Sequence, residues 1–96
     1  MIYNIKAAFP YKEIYRKNAQ AVVYGSRVDV INNGETELIA HGVRIFPQGF
    51  YTFQYAESYL INDSLEIKFP SDPENVNGKN ECLILVYKPS KDLVKI

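Results

Sequence analysis

Residues 43–55, VRIFPQGFYTFQY, contain two short apolar runs hinged on Pro47-Gln48-Gly49. The residue before a proline is driven to extended geometry, and Pro47 itself suits position i+1 of a turn. Val43 and Ile45 share one side of the first run, with Arg44 opposite. In the second run Tyr51, Phe53 and Tyr55 share one side and Phe50, Thr52 and Gln54 the other. A period of two is the spacing of a half-buried strand. The most aromatic stretch of the chain therefore points to β-structure. Periodicity alone leaves open which side of the second strand faces the core.

The rest of the chain repeats this pattern in short pieces. Residues 2–9, IYNIKAAF, alternate and stop at Pro10, which lacks an N–H. Residues 10–20 break the alternation: Tyr11, Ile14 and Tyr15 fall at i, i+3 and i+4, with a Glu13–Lys17 pair at i, i+4. A short helical turn near 11–17, or an ordered loop, is expected there. Residues 21–31 return to period two, with Val22, Tyr24, Val28 and Val30 on one side and Val23, Arg27 and Asp29 on the other. Gly25 within this run suggests a bulge or a close backbone approach. Asn32-Asn33-Gly34-Glu35 reads as a tight hairpin turn, because Asn-Gly tolerates positive φ. His41-Gly42 reads as a second turn or a kink. Ser64–Phe69 alternates, with Leu65, Ile67 and Phe69 inward. Residues 70–80 are loop, rich in Pro, Asn and Gly. Cys82–Tyr87 has no polar side and is expected as a central strand covered on both faces. Residues 89–96 form a short polar tail. The expected fold is all-β: one domain over residues 1–96, a small antiparallel β-sandwich (Ig-like or jelly-roll-like) of six to eight strands.

Composition removes several function classes. The 96 residues carry a formal net charge of zero, which gives no field to attract nucleic acid or a membrane. No signal peptide is apparent, and no apolar stretch approaches the roughly 20 residues that span a bilayer. A single cysteine excludes an intrachain disulfide. One His and one Cys are too few for a zinc site of the usual kind. Asp72, Glu74 and Asn75 lack the spaced acidic repeat of a calcium loop. His41 reads as a turn residue and Cys82 as buried packing. No catalytic residue, cofactor or metal ligand is assigned, and the chain is expected not to be an enzyme.

The aromatic load is the more informative feature, with eight tyrosines and five phenylalanines. A sandwich this small cannot bury them all, and tyrosine is common where an apolar body meets water, as at protein interfaces. Tyr11, Tyr15, Tyr51, Tyr55 and Tyr59 are the candidate interface residues. Three alternatives stand beside that reading. The rings can cover the edges of the core; Tyr51 and Tyr55 can form a sugar-stacking platform in a carbohydrate- or ligand-binding module; and a carboxylate or His41 in a deep cleft would point to an enzyme or inhibitor.

From Val28 to Lys88 the order of parts resembles small β-domains of tailed-bacteriophage structural proteins. The features are a strand ending in Asn32-Asn33-Gly34-Glu35-Thr36, the His41-Gly42 turn and Val43-Arg44-Ile45-Phe46-Pro47-Gln48-Gly49-Phe50. Ser64-Leu65-Glu66-Ile67-Lys68-Phe69 and Leu83-Ile84-Leu85-Val86-Tyr87-Lys88 follow. The order NG…G-V-x-I-x-P-x-G looks like that of head-decoration, auxiliary capsid and fibre-base modules. The resemblance implies a sandwich, an assembly role, a place in a virion put together in a host cytoplasm, and other virion proteins or copies of the same chain as partners. It carries over no catalytic residue, and residues 10–20 have no counterpart in it.

Overall fold

The computed structural model describes residues 11–25, 27–54 and 61–87. They form eight strands: β1 (Tyr11–Tyr15), β2 (Ala19–Gly25), β3 (Arg27–Asn32), β4 (Leu38–Ala40), β5 (Val43–Ile45), β6 (Phe50–Gln54), β7 (Ile61–Lys68) and β8 (Cys82–Tyr87). Two four-stranded sheets pack face to face. Sheet I has the order β1-β8-β3-β6 and sheet II the order β2-β7-β4-β5. Every pairing is antiparallel. The expected β-sandwich is the observed fold.

Among the described strands only β4 and β5 are consecutive and paired within one sheet; the other consecutive strands lie in opposite sheets. The β4–β5 hairpin turns at His41-Gly42, with φ of 48° and 81°. Positive φ at both central residues is the type I′ geometry that matches strand twist.

The core lies between the sheets. Sheet I contributes Val28, Val30, Cys82, Ile84 and Val86; sheet II contributes Ala21, Val23, Leu38, Ala40, Ile45, Leu65 and Ile67, with Phe69 just past β7. Each large side chain fully buried here stabilises the fold by roughly 1.5–3 kcal/mol relative to exposure. The inward positions expected for Leu65, Ile67 and Phe69 are observed.

Several expectations are corrected. Residues 11–15 form strand β1 rather than a helical turn near 11–17. All five pair with β8, from Tyr11 opposite Val86 to Tyr15 opposite Cys82. A helix of one or two turns is marginal alone, and a sheet ladder outweighs it. Residues 21–31 are not one strand: β2 belongs to sheet II and β3 to sheet I. A single alternation therefore does not run through Gly25. Val23 is buried, whereas Val22 and Tyr24 are exposed on the outside of sheet II. The Gly25 expectation resolves as close approach, since a Cβ there would lie 2.7 Å from Val86 Cγ1 and 2.8 Å from the Tyr87 carbonyl oxygen.

Asn33-Gly34 is not a hairpin turn either. Neither residue has positive φ, and the segment carries the chain between sheets. Gly34 is required by crowding: its Cβ would lie 2.5 Å from Glu81 N and 2.6 Å from the Lys79 carbonyl oxygen. Asn32 organises this crossing. Its fully buried side chain donates to the carbonyls of Thr36 (2.8 Å) and Ile45 (3.0 Å) and accepts from Gly34 N–H (3.0 Å). At the Pro47 corner, Gln48 takes the left-handed conformation (φ 69°), and Gly49 N–H closes the turn onto the Phe46 carbonyl at 2.9 Å. The strand expected at 2–9, Tyr55, Tyr59 and the 89–96 tail lie outside the described residues.

Candidate interaction surface

Residues opposite one another in an antiparallel pair point to the same face of the sheet. Register therefore sorts sheet I into an inner and an outer side. The inner side holds Val28, Val30, Ile84 and Val86, and with them Tyr11, Glu13, Tyr15, Tyr51 and Phe53. The outer side has three transverse rows. Ile14, Leu83, Ile31 and Phe50 form the first, Lys12, Leu85, Asp29 and Thr52 the second, and Tyr87, Arg27 and Gln54 the third.

The first row is wholly apolar across all four strands, a span of about 14 Å at the usual strand spacing. Phe50 is 71% exposed and Ile14 42%, with Leu83 and Ile31 half-buried. Leu85 extends the row inward, and Phe46, 66% exposed, lies at the other end of the corner that leads into Phe50. β8 is central as expected, but it is not covered on both sides: Leu83, Leu85 and Tyr87 are only half-buried.

Beside the apolar row sits a closed polar group. Arg27 grips Asp29 with two hydrogen bonds, Nε at 3.0 Å and Nη2 at 3.1 Å. Thr52 Oγ1 donates to the same carboxylate at 2.8 Å, and the guanidinium lies 5.1 Å from the Tyr87 ring centre. Asp29 is 7% exposed, and its carboxylate is taken up by Arg27 and Thr52. Its hydrogen bond and charge raise the Arg27 pKa further.

Other titratable side chains of note among the described residues are Cys82 and Asp72. Cys82 is fully buried on the inner side, and burial pushes its thiol to about 12, where thiolate is negligible at neutral pH. Among the described residues no three His, Cys, Asp or Glu side chains group as a metal site, and no helix is long and apolar enough to cross a membrane. The hollow bordered by Asn18, Gln20, Glu66 and Lys68 is shallow and open. In the 70–80 loop, Asp72 accepts from the backbone N–H of Val76 (3.0 Å) and Asn77 (2.9 Å), and these bonds lower its pKa. That carboxylate shapes its own loop.

The three sequence-predicted tyrosines that lie among the described residues do not converge. Tyr11 (57% exposed) and Tyr15 stand on β1 at one edge of sheet I, Tyr51 (44% exposed) on β6 at the other. Tyr15 packs against the core and donates to Glu13; burial, then that hydrogen bond, push its phenol to about 12. Tyr51 meets Phe53 edge-on, with centroids 4.8 Å apart and planes at 62°, and His41 caps Phe53 at 5.9 Å. Tyr51 and Phe53 are thus inclined rather than coplanar; Tyr55, the other member of the expected sugar platform, lies outside the described residues.

The residues missed were Ile14, Ile31, Leu83 and Phe50. Phe50 lies on the side of β6 opposite Tyr51, and only the register of β1, β8, β3 and β6 aligns the row. No family model matches this chain, and searches of curated proteins and of solved structures return no similar protein.

Proposed function

We propose that this chain is a non-enzymatic assembly protein that works through protein–protein contacts, with the outer side of sheet I as its docking face. The exposed Ile14–Leu83–Ile31–Phe50 row carries the reading. A contiguous apolar strip rimmed by satisfied charges is the composition of an interface centre with its polar border. Isolated apolar residues on a surface carry no such meaning.

The setting proposed is the virion of a tailed bacteriophage, as a capsid-decoration, auxiliary capsid or fibre-base module. The order of turns and strands from Val28 to Lys88 supports it. The partners are then other virion proteins or further copies of the chain.

Co-sedimentation with particles encoded by the same genome tests this directly. The wild-type protein should pellet with the particles. Ile14→Lys, which puts a charge into the apolar row at a position 42% exposed, should release it while costing about 1 kcal/mol or less of stability. A protein that stays in the supernatant, or an Ile14→Lys variant that pellets like wild type, overturns the reading.

A further inference from the structure

We propose that two copies of this chain join through β6, edge to edge and antiparallel, about a twofold axis at Thr52, making one continuous eight-stranded sheet from two copies of sheet I. Among the described residues β6 has one strand neighbour, β3. The ladder fixes which backbone groups are left over. Asn32 N–H donates to the Gly49 carbonyl at 2.9 Å. Hydrogen-bonded and non-hydrogen-bonded pairs alternate in an antiparallel ladder. Val30–Tyr51 and Val28–Phe53 are therefore the bonded pairs, and the N–H and C=O of Phe50, Thr52 and Gln54 point away from β3.

Those three outward pairs suit a second β6. With Thr52 opposite Thr52, the two residues exchange N–H···O=C bonds, and Phe50 does the same with Gln54 of the other copy. Tyr51 then faces Phe53 of the other copy across a non-bonded site, where side chains approach most closely. Symmetry makes that aromatic pair twice.

The edge also lacks the usual guards. Exposed edge strands are normally blunted by charge, proline or brevity. β1 carries Lys12 and Glu13, and β5 is three residues long with Arg44 in its middle. β6, FYTFQ, has no charge and no proline. β2 is uncharged too, but a twofold axis at its centre would set Ala21 against Val23, a much weaker cross-strand pair. Because the axis is normal to the sheet, both outer sides face the same way. The dimer doubles the apolar face without covering its Ile14 end.

Sedimentation velocity over a concentration series, with amide hydrogen exchange on the same samples, tests the pairing. The wild type should dimerise reversibly, and the amides of Phe50, Thr52 and Gln54 should gain protection as it does. Thr52→Pro removes an N–H that β3 does not use, and should weaken association by at least about tenfold, since two mutual bonds are lost together. Thr52→Ala, which keeps the N–H, should still dimerise. A wild type that is monomeric throughout overturns the proposal. So does a dimer whose three amides gain no protection, or a folded Thr52→Pro that associates like wild type. The exchange measurement decides even if Thr52→Pro fails to fold. Ile14→Lys should leave this dimer intact, so loss of particle binding and loss of dimer are separate results.

Discussion

Sheet II turns Gln20, Ser64, Glu66, Lys68 and Arg44 toward solvent, while sheet I turns Ile14, Leu83, Ile31 and Phe50 outward in one row. The strands of both alternate, and both bury one side in the same core. On sheet II the outward side is closed by short-range polar contacts: Lys68 with Glu66 at 2.8 Å, Arg44 with Glu37, and Ser64 with Gln20 at 2.7 Å. Val22, 74% exposed, stands opposite Ser64, and Tyr24 and the half-buried Ile39 also face outward but fall in different rows of the sheet. On sheet I comparable apolar residues are lined up by register. Exposure of one apolar side chain is ordinary; alignment of four across a sheet makes a surface that gains from being covered.

Both outer sides depend on the two sheets being held in one frame. Gly34→Val should have the largest effect, on the order of 3–4 kcal/mol, because its side chain would run into the backbone at Lys79 and Glu81. The segment joins β3 of sheet I to β4 of sheet II, so thermal unfolding should remain a single transition at a much lower midpoint. An unchanged midpoint would show that this crossing is not packed as described.

A matched pair of substitutions sharpens the contrast at smaller energies. Val22→Lys lies on the outer side of sheet II, and should change stability by no more than about 0.5 kcal/mol and leave particle binding intact. Ile14→Lys should have a similarly small effect on folding and abolish binding. Equal binding by the two variants would mean that the faces do not differ in function, whatever their composition.

How much of this was legible in the sequence depends on whether the signal was local. The His41-Gly42 hairpin, the Pro47 corner, the inward side of β7 and the central place of β8 follow from turn chemistry and period two. Residues 11–15 were misread because Tyr11, Ile14 and Tyr15 also fit a helical spacing, and only β8, some seventy residues away, decides the matter. The phase of β2 was misread because Gly25 ends one strand and its partner belongs to the other sheet. Asn33-Gly34 had the composition of a hairpin turn, yet its glycine is needed for space and not for positive φ. The docking row was invisible for the same reason as β1: it is assembled from four strands whose register no local pattern encodes. Tyr11, Tyr24 and Tyr51 are exposed, but they are scattered over three strands, whereas the aligned row is made of isoleucine, leucine and one phenylalanine.

The smallest expected effect concerns the 70–80 loop, which leads from sheet II back to β8 of sheet I. Asp72, only 8% exposed, ties the loop through its carboxylate to Asn77 and Val76 N–H, and its carbonyl accepts Asn80 Nδ2 at 2.6 Å. Asn80 reaches on to the Arg16 carbonyl and accepts from Thr36 at 2.5 Å, so the loop braces the ends of β1 and the β3–β4 crossing. The backbone bonds from Asn77 and then Val76 hold the Asp72 pKa below its usual value. A carboxylate whose pKa is lowered by folding binds its proton more readily in the unfolded chain. Its contribution is therefore complete above the unfolded value, about 3.9, and fades as pH falls through the lower folded value. Asp72→Asn offers no carboxylate at any pH. The stability gap between wild type and Asp72→Asn should be constant from neutrality down to about pH 5 and close progressively below about pH 4. Thermal melts of both proteins across that range measure it. A gap that persists unchanged into strong acid would mean that the Asp72 charge plays no part in ordering the loop, and that the bracing between the sheets rests on the asparagine amides alone.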